Sequence, residues 1–211
     1  PTGKVTLIYG DSNIKRMIDV VSSGILTLDG ELVLDGNGEI DHGQATPICV
    51  ESGGVLTIKK DVVVQNCSVT SARAGAIYVN GGTLKLEGGK LQNNKSDTNA
   101  GCVLVENSGE FEMSAGEITN STSGANGGGV CVTSGNFIMS GGTISGNTAK
   151  NGGGVYVSGG TFEMTGGIIG NETNTNQGNT ATEGGGGVFV DGGEFKMSKN
   201  AAISLCSIFI N

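Results

Sequence analysis

The sequence predicts an all-β fold, a single-domain parallel β-helix solenoid of about seven coils with three short strands per coil. Three observations carry this. An apolar triplet recurs along the chain, a second alternating stretch follows each triplet, and glycine pairs separate them with no helical stretch between.

The triplets are Ile18-Asp19-Val20, Ile48-Cys49-Val50, Ile77-Tyr78-Val79, Val103-Leu104-Val105, Val130-Cys131-Val132, Val155-Tyr156-Val157 and Val188-Phe189-Val190. They place coil starts near 18, 48, 77, 103, 130, 155 and 188. Within each triplet the first and third residues are aliphatic and the middle one varies, so period two buries one face and turns the middle residue outward. Repeats of this length without helices stack like strand on like strand.

The second stretches are residues 26–28, 56–58, 84–86, 111–113, 137–139, 162–164 and 195–197. Stacking them puts Phe111, Phe137, Phe162 and Phe195 in one internal ladder and Met113, Met139, Met164 and Met197 in another. These columns take four of the six phenylalanines and four of the five methionines, a concentration that chance does not supply. Five residues beyond each stretch lies a third apolar point, at Val33, Val63, Leu91, Ile118, Ile144, Ile169 and Ala202. The glycine pairs 81–82, 159–160 and 192–193 make the corner between first and second strands, and 88–89, 141–142 and 166–167 the next corner, where positive φ or close approach of coils excludes a Cβ. At roughly 4.8 Å per coil the rod is on the order of 30 Å long.

Residues 1–17 are expected to cap the N-terminal end, with 10–17 as a short helix, and 18–211 to form the solenoid. The apolar tail through Asn211 and the start at Pro1 rather than Met lead to the expectation of a section from a longer chain, or of a neighbour packing on the end.

The chain holds 40 glycines, 2 prolines, no tryptophan and a net charge of −8. Its only arginines, Arg16 and Arg73, cannot track a phosphate backbone, so nucleic acid is excluded as a partner. No apolar run reaches the roughly 18–20 residues of a membrane span, so no membrane insertion is expected within this segment. Cys49, Cys67, Cys102, Cys131 and Cys206 show no CxxC or histidine-partnered spacing, so neither a metal site nor a cofactor is expected. Cys49 and Cys131 share a column three coils apart, about 14 Å by strand spacing, beyond disulfide reach. Free thiols follow. The stretch Asp35–Asp41 imitates a calcium loop but lacks the glycine and glutamate such a loop needs, and reads as a solvated turn. His42, the single histidine, reads as a loop residue.

The outward column of the first strand reads Asp19, Cys49, Tyr78, Leu104, Cys131, Tyr156, Phe189. Tyr78, Tyr156 and Phe189 on this apolar stripe are the candidate ligand-binding residues, offering stacking surface to sugar rings or a docking partner. The alternative is that folded-back loops or a neighbouring chain cover them. The second-strand column reads Thr27, Thr57, Lys85, Glu112, Ile138, Glu163, Lys196, with Lys85–Glu112 and Glu163–Lys196 as cross-strand charge pairs. Asn93, Asn120 and Asn171, at the exits of third strands, are candidates for a ladder that satisfies turn backbone. No catalytic residues are identified.

Segments such as 140–167, SGGTISGNTAKNGGGVYVSGGTFEMTGG, resemble the right-handed, pectate-lyase-like β-helix repeats of bacterial surface and adhesin-like proteins. GAIYV and GGVCV are similar to the glycine-rich motif of polymorphic outer-membrane proteins and autotransporter passengers. The resemblance implies an extracellular or cell-surface location and a non-catalytic role, either binding a glycan or host surface protein or acting as a spacer. Because the same fold carries lyases and hydrolases, a polysaccharide lyase or glycoside hydrolase is the alternative. Pectin-active enzymes of that fold use clustered aspartates, and the first-strand outward column holds one carboxylate.

Overall fold

The computed structural model describes residues 4–8, 16–38, 45–71, 73–171, 178–198 and 200–211. Within them the chain is all-β, a parallel β-solenoid of about six turns, close to the seven coils expected. The first sheet stacks eight strands in sequence order, from Ile18–Val20 to Ile208–Ile210. Every expected triplet is a strand here, and each pairs in parallel with its counterpart one coil on. Ile208-Phe209-Ile210 is an eighth rung that the triplet pattern omitted, aligned with Val188-Phe189-Val190.

Second and third strands belong to one bent sheet of 13 strands. In two coils they run together, as Thr83–Gln92 and Glu110–Thr119, so the expected corner is a bend within a continuous strand. A further sheet of five short strands, which the sequence reading did not separate, closes the coil. It comprises Ser68–Val69, Lys95–Ser96, Thr122–Ser123, Thr148–Asn151 and Thr180–Gly184.

The internal ladders have the expected register: Phe111, Phe137, Phe162 and Phe195 align, as do Met113, Met139, Met164 and Met197. The phenyl rings stack at 4.6, 4.7 and 4.9 Å, the spacing that parallel strands impose. The first three are fully buried, whereas Met197 on the last coil is 44% exposed.

The third column needs correction. The inward residues are Leu34, Val64, Leu91, Ile118, Ile144, Ile169 and Ile203. In the first, second and last of these coils the bend after the second strand is one residue longer, and one extra residue moves the next position to the opposite face. Val33, Val63 and Ala202 therefore point outward.

Residues 1–17 are described only in part. Val5–Ile8 pairs in parallel with Leu32–Asp35, adding a strand to the bent sheet at the N-terminal end. Most of the short helix expected over 10–17, namely 10–15, lies outside the described residues, as does His42.

Candidate functional site

The residues expected to bind a ligand stand where the register places them, but they are enclosed. Cys49, Tyr78, Leu104, Cys131 and Tyr156 form a second apolar core outside the solenoid, with Phe189 packed against it. Tyr78 and Tyr156 are each only 7% exposed. The cover is the loop entering the first strand in the coils from Ile77–Asn80 to Val188–Val190, which folds back over that strand's outer face. Ala74 and Ala100 belong to the cluster, and the loop glycines Gly127, Gly152 and Gly185 lie so close that a Cβ would fall 2.8–2.9 Å from Cys131, Tyr156 and Phe189. These loops are themselves stacked, Gly75 donating to Ala100, Ala100 to Asn126, Gly127 to Asn151 and Gly152 to Gly184. The Gly-Gly-Gly stretches before the triplets thus form a further backbone ladder. Their lack of side chains makes room for the aromatic stripe beneath.

Both tyrosine hydroxyls are engaged. Tyr78 donates to Glu106 at 2.7 Å, and Glu106 also pairs with Arg73, whose guanidinium lies 5.6 Å from the Tyr78 ring centre. Tyr156 donates to Asp191 at 3.1 Å, and burial together with that carboxylate pushes its hydroxyl up to about 12. Phe189 stacks between Tyr156 and Phe209, at 5.6 and 4.7 Å. The stripe accordingly offers no open ring face at Tyr78 or Tyr156 for a sugar.

At the N-terminal end of this column, single ligand atoms of Asp19, Cys49 and Glu51 lie within 4.8 Å of one another. A cation already sits among them: Arg16 donates to Asp19 at 2.5 Å and to Glu51 at 3.3 Å. The Cys49 thiol also donates to Glu51 at 3.2 Å. Burial and this bond push Cys49 up to about 12. A thiol held in its protonated form is a poor metal ligand, so the cluster reads as a closed ion-pair network. All five cysteines are free, four of them buried.

The polar ladder at the third-strand exit lies one position beyond the expected asparagines. Asn93 and Asn120, with Asn66, adopt left-handed φ near 55° and turn the corner, a conformation asparagine tolerates well. The following residues are the buried rungs: Cys67 N–H donates to Asn94, Asn94 N–H to Ser121, Ser121 N–H to Asn147 and Asn147 N–H to Asn179. Asn171 borders residues 172–177, which lie outside the described set. Of the two expected charge pairs, Lys85–Glu112 forms at 3.0 Å. Lys196 aligns with Glu163 but pairs at 2.8 Å with Glu194, two residues back on the same face of its own strand.

An open concavity lies at the elbow between second and third strands, a groove of about 660 Å³ across four successive coils. It occurs where the bend length changes, so the outward-turned Val33 and Val63 lie in it. Lys60, Asp61, Glu87 and the Lys90–Glu117 pair, 3.0 Å apart, surround them. Asp61, Glu87 and Glu31 are exposed. None has the buried apolar setting that prepares a carboxyl as general acid. Comparison with protein-family models, curated proteins and solved structures finds no match to this chain.

Proposed function

We propose that the chain is a non-catalytic β-helix section of a bacterial surface or secreted protein, acting chiefly as a rigid spacer. The observation that carries this reading is the enclosure of the aromatic stripe: from Cys49 to Tyr156 the first sheet is packed on both faces, by the solenoid core inside and by the second apolar cluster outside. A sheet clad on both sides resists bending, and its tyrosines are used for packing. The likeness of the repeats to surface proteins supports the location. Sequestered thiols are compatible with an oxidising compartment, since reactivity requires accessible thiolate.

A second reading is favoured by the elbow groove, whose volume falls within the range of ligand pockets. It would bind a glycan or a protein segment there rather than on the tyrosine face. One experiment separates these. The folded chain is screened against a glycan array and incubated with soluble polysaccharides, beside a Lys60→Ala/Glu87→Ala variant and a Tyr78→Ala/Tyr156→Ala variant. The spacer reading expects neither retention nor new chain ends. Retention abolished by the groove variant would replace it with the binding reading, and polysaccharide cleavage would make the chain an enzyme.

A further inference from the structure

The turn that imitates a calcium loop contains one of four Asn-Gly steps in the chain, at Asn37, Asn80, Asn126 and Asn151. In such a step the glycine backbone nitrogen can attack the asparagine side-chain carbonyl carbon. The new C–N bond closes a five-membered succinimide, ammonia leaves with the amide nitrogen, and water reopens the ring to aspartate or isoaspartate. Attack requires a free glycine N–H and a main chain able to rotate, and the fold grants these unequally.

Three of the glycine nitrogens are held in coil-to-coil rungs: Gly81 donates to Glu106 at 3.1 Å, Gly127 to Asn151 at 2.9 Å and Gly152 to Gly184 at 3.0 Å. Their asparagines are bound as well, Asn80 donating to Glu51, Asn126 to Asn99 and Asn151 to Asn126. Asn37 differs. It is exposed at φ 54°, and the Gly38 N–H has no hydrogen-bond partner among the described residues. Among the described residues, the nearest atom to a Cβ added at Gly38 is 3.6 Å away.

We propose that Asn37 is a site of spontaneous covalent modification, with water as co-reactant, and that the solenoid protects the other three steps. The product acts on a tight corner. Asp35 accepts hydrogen bonds from Gln65, Asn66 and the Asn37 N–H, and a Cβ on Gly36 would lie 2.5 Å from Cys67 Cα. A new carboxylate two residues from Asp35, or the extra backbone atom of isoaspartate, loosens the contact between the first two coils.

The test is peptide mapping by mass spectrometry of the folded chain during incubation in mildly alkaline buffer, with a parallel sample in denaturant. Asn37 is expected to convert at least about tenfold faster than each of the other three when folded, because those sites must first open locally. In denaturant the four should convert at comparable rates. Gly38→Ala, which has room for its methyl, should slow Asn37 while leaving the melting temperature unchanged. Conversion of Asn80, Asn126 or Asn151 as fast as Asn37 in the folded chain, or no slowing in Gly38→Ala, would overturn the proposal.

Discussion

Asn147→Ala tests the buried rungs. Asn147 is fully buried; its Oδ1 accepts the Ser121 N–H at 2.9 Å and its Nδ2 donates to the Ile118 carbonyl and to Asn179 Oδ1, each at 3.0 Å. Alanine keeps the Asn147 backbone bond to Asn179 but leaves the Ser121 N–H with no acceptor. An orphaned buried donor costs about 1–3 kcal/mol and the two lost Nδ2 bonds about 0.5–1.5 kcal/mol each, so the variant should be destabilised by about 2–6 kcal/mol. Serine at 147 should recover part of this, because Ser121 already serves as a rung, its Oγ accepting the Asn94 N–H at 3.3 Å. Urea unfolding followed by far-ultraviolet circular dichroism reads the difference, and hydrogen exchange at Ser121 reads it locally. A loss below about 1 kcal/mol for alanine, or serine no better than alanine, would refute the claim that the ladder is held by satisfied backbone donors.

Phe137→Ala should cost about 3–5 kcal/mol, and Phe195→Ala less, because Phe137 is buried between two stacked rings whereas Phe195 is half-buried with a ring on one side; thermal melts of both variants check the order. Gly30→Ala meets nothing within 4 Å and should lose only the left-handed backbone cost of about 1–2 kcal/mol. Gly160→Ala, whose Cβ would fall 1.9 Å from the Gly135 carbonyl oxygen, should lose far more or fail to fold, as soluble yield and melting temperature will show. Stability should fall as pH rises above about 9. Burial pushes Cys102 and Cys131 up to about 12, so the unfolded chain deprotonates first and the folded state forfeits its advantage between those values. At the acid end, hydrogen bonds from Gln65, the Asn37 N–H and Asn66 outweigh burial and hold the Asp35 carboxyl below its usual range, so stability present above about pH 4 declines as pH drops through the folded value. A melting-temperature profile across pH tests both limbs.

The ladders were legible because stacking is a one-dimensional rule. Once the repeat was aligned, equivalence in sequence became contact in space, and the phenylalanine and methionine columns needed no further information. The misses in the third column have one physical source, since period two is unforgiving to a single residue. Counting five residues from each second stretch lands on Val33, Val63 and Ala202 in three of the coils. The longer bends at 29–33, 59–63 and 198–202 turn them out and bring Leu34, Val64 and Ile203 in. Nothing local marks that change, because both candidates in each coil are apolar.

The aromatic stripe is enclosed, as the alternative of folded-back loops expects. Its outward orientation was read correctly from Tyr78, Tyr156 and Phe189, but orientation relative to a strand does not establish access to water. What closes the face from Tyr78 to Phe189 is the loop preceding each strand, and its signal in the sequence is the Gly-Gly-Gly before Val130, Val155 and Val188. Residues without side chains can lie flat on an aromatic column and still bond to the next coil. In a solenoid of this kind, a glycine run immediately before an outward aromatic is therefore evidence that the aromatic is covered. An outward tyrosine preceded by bulky loop residues would be the better candidate for a ligand.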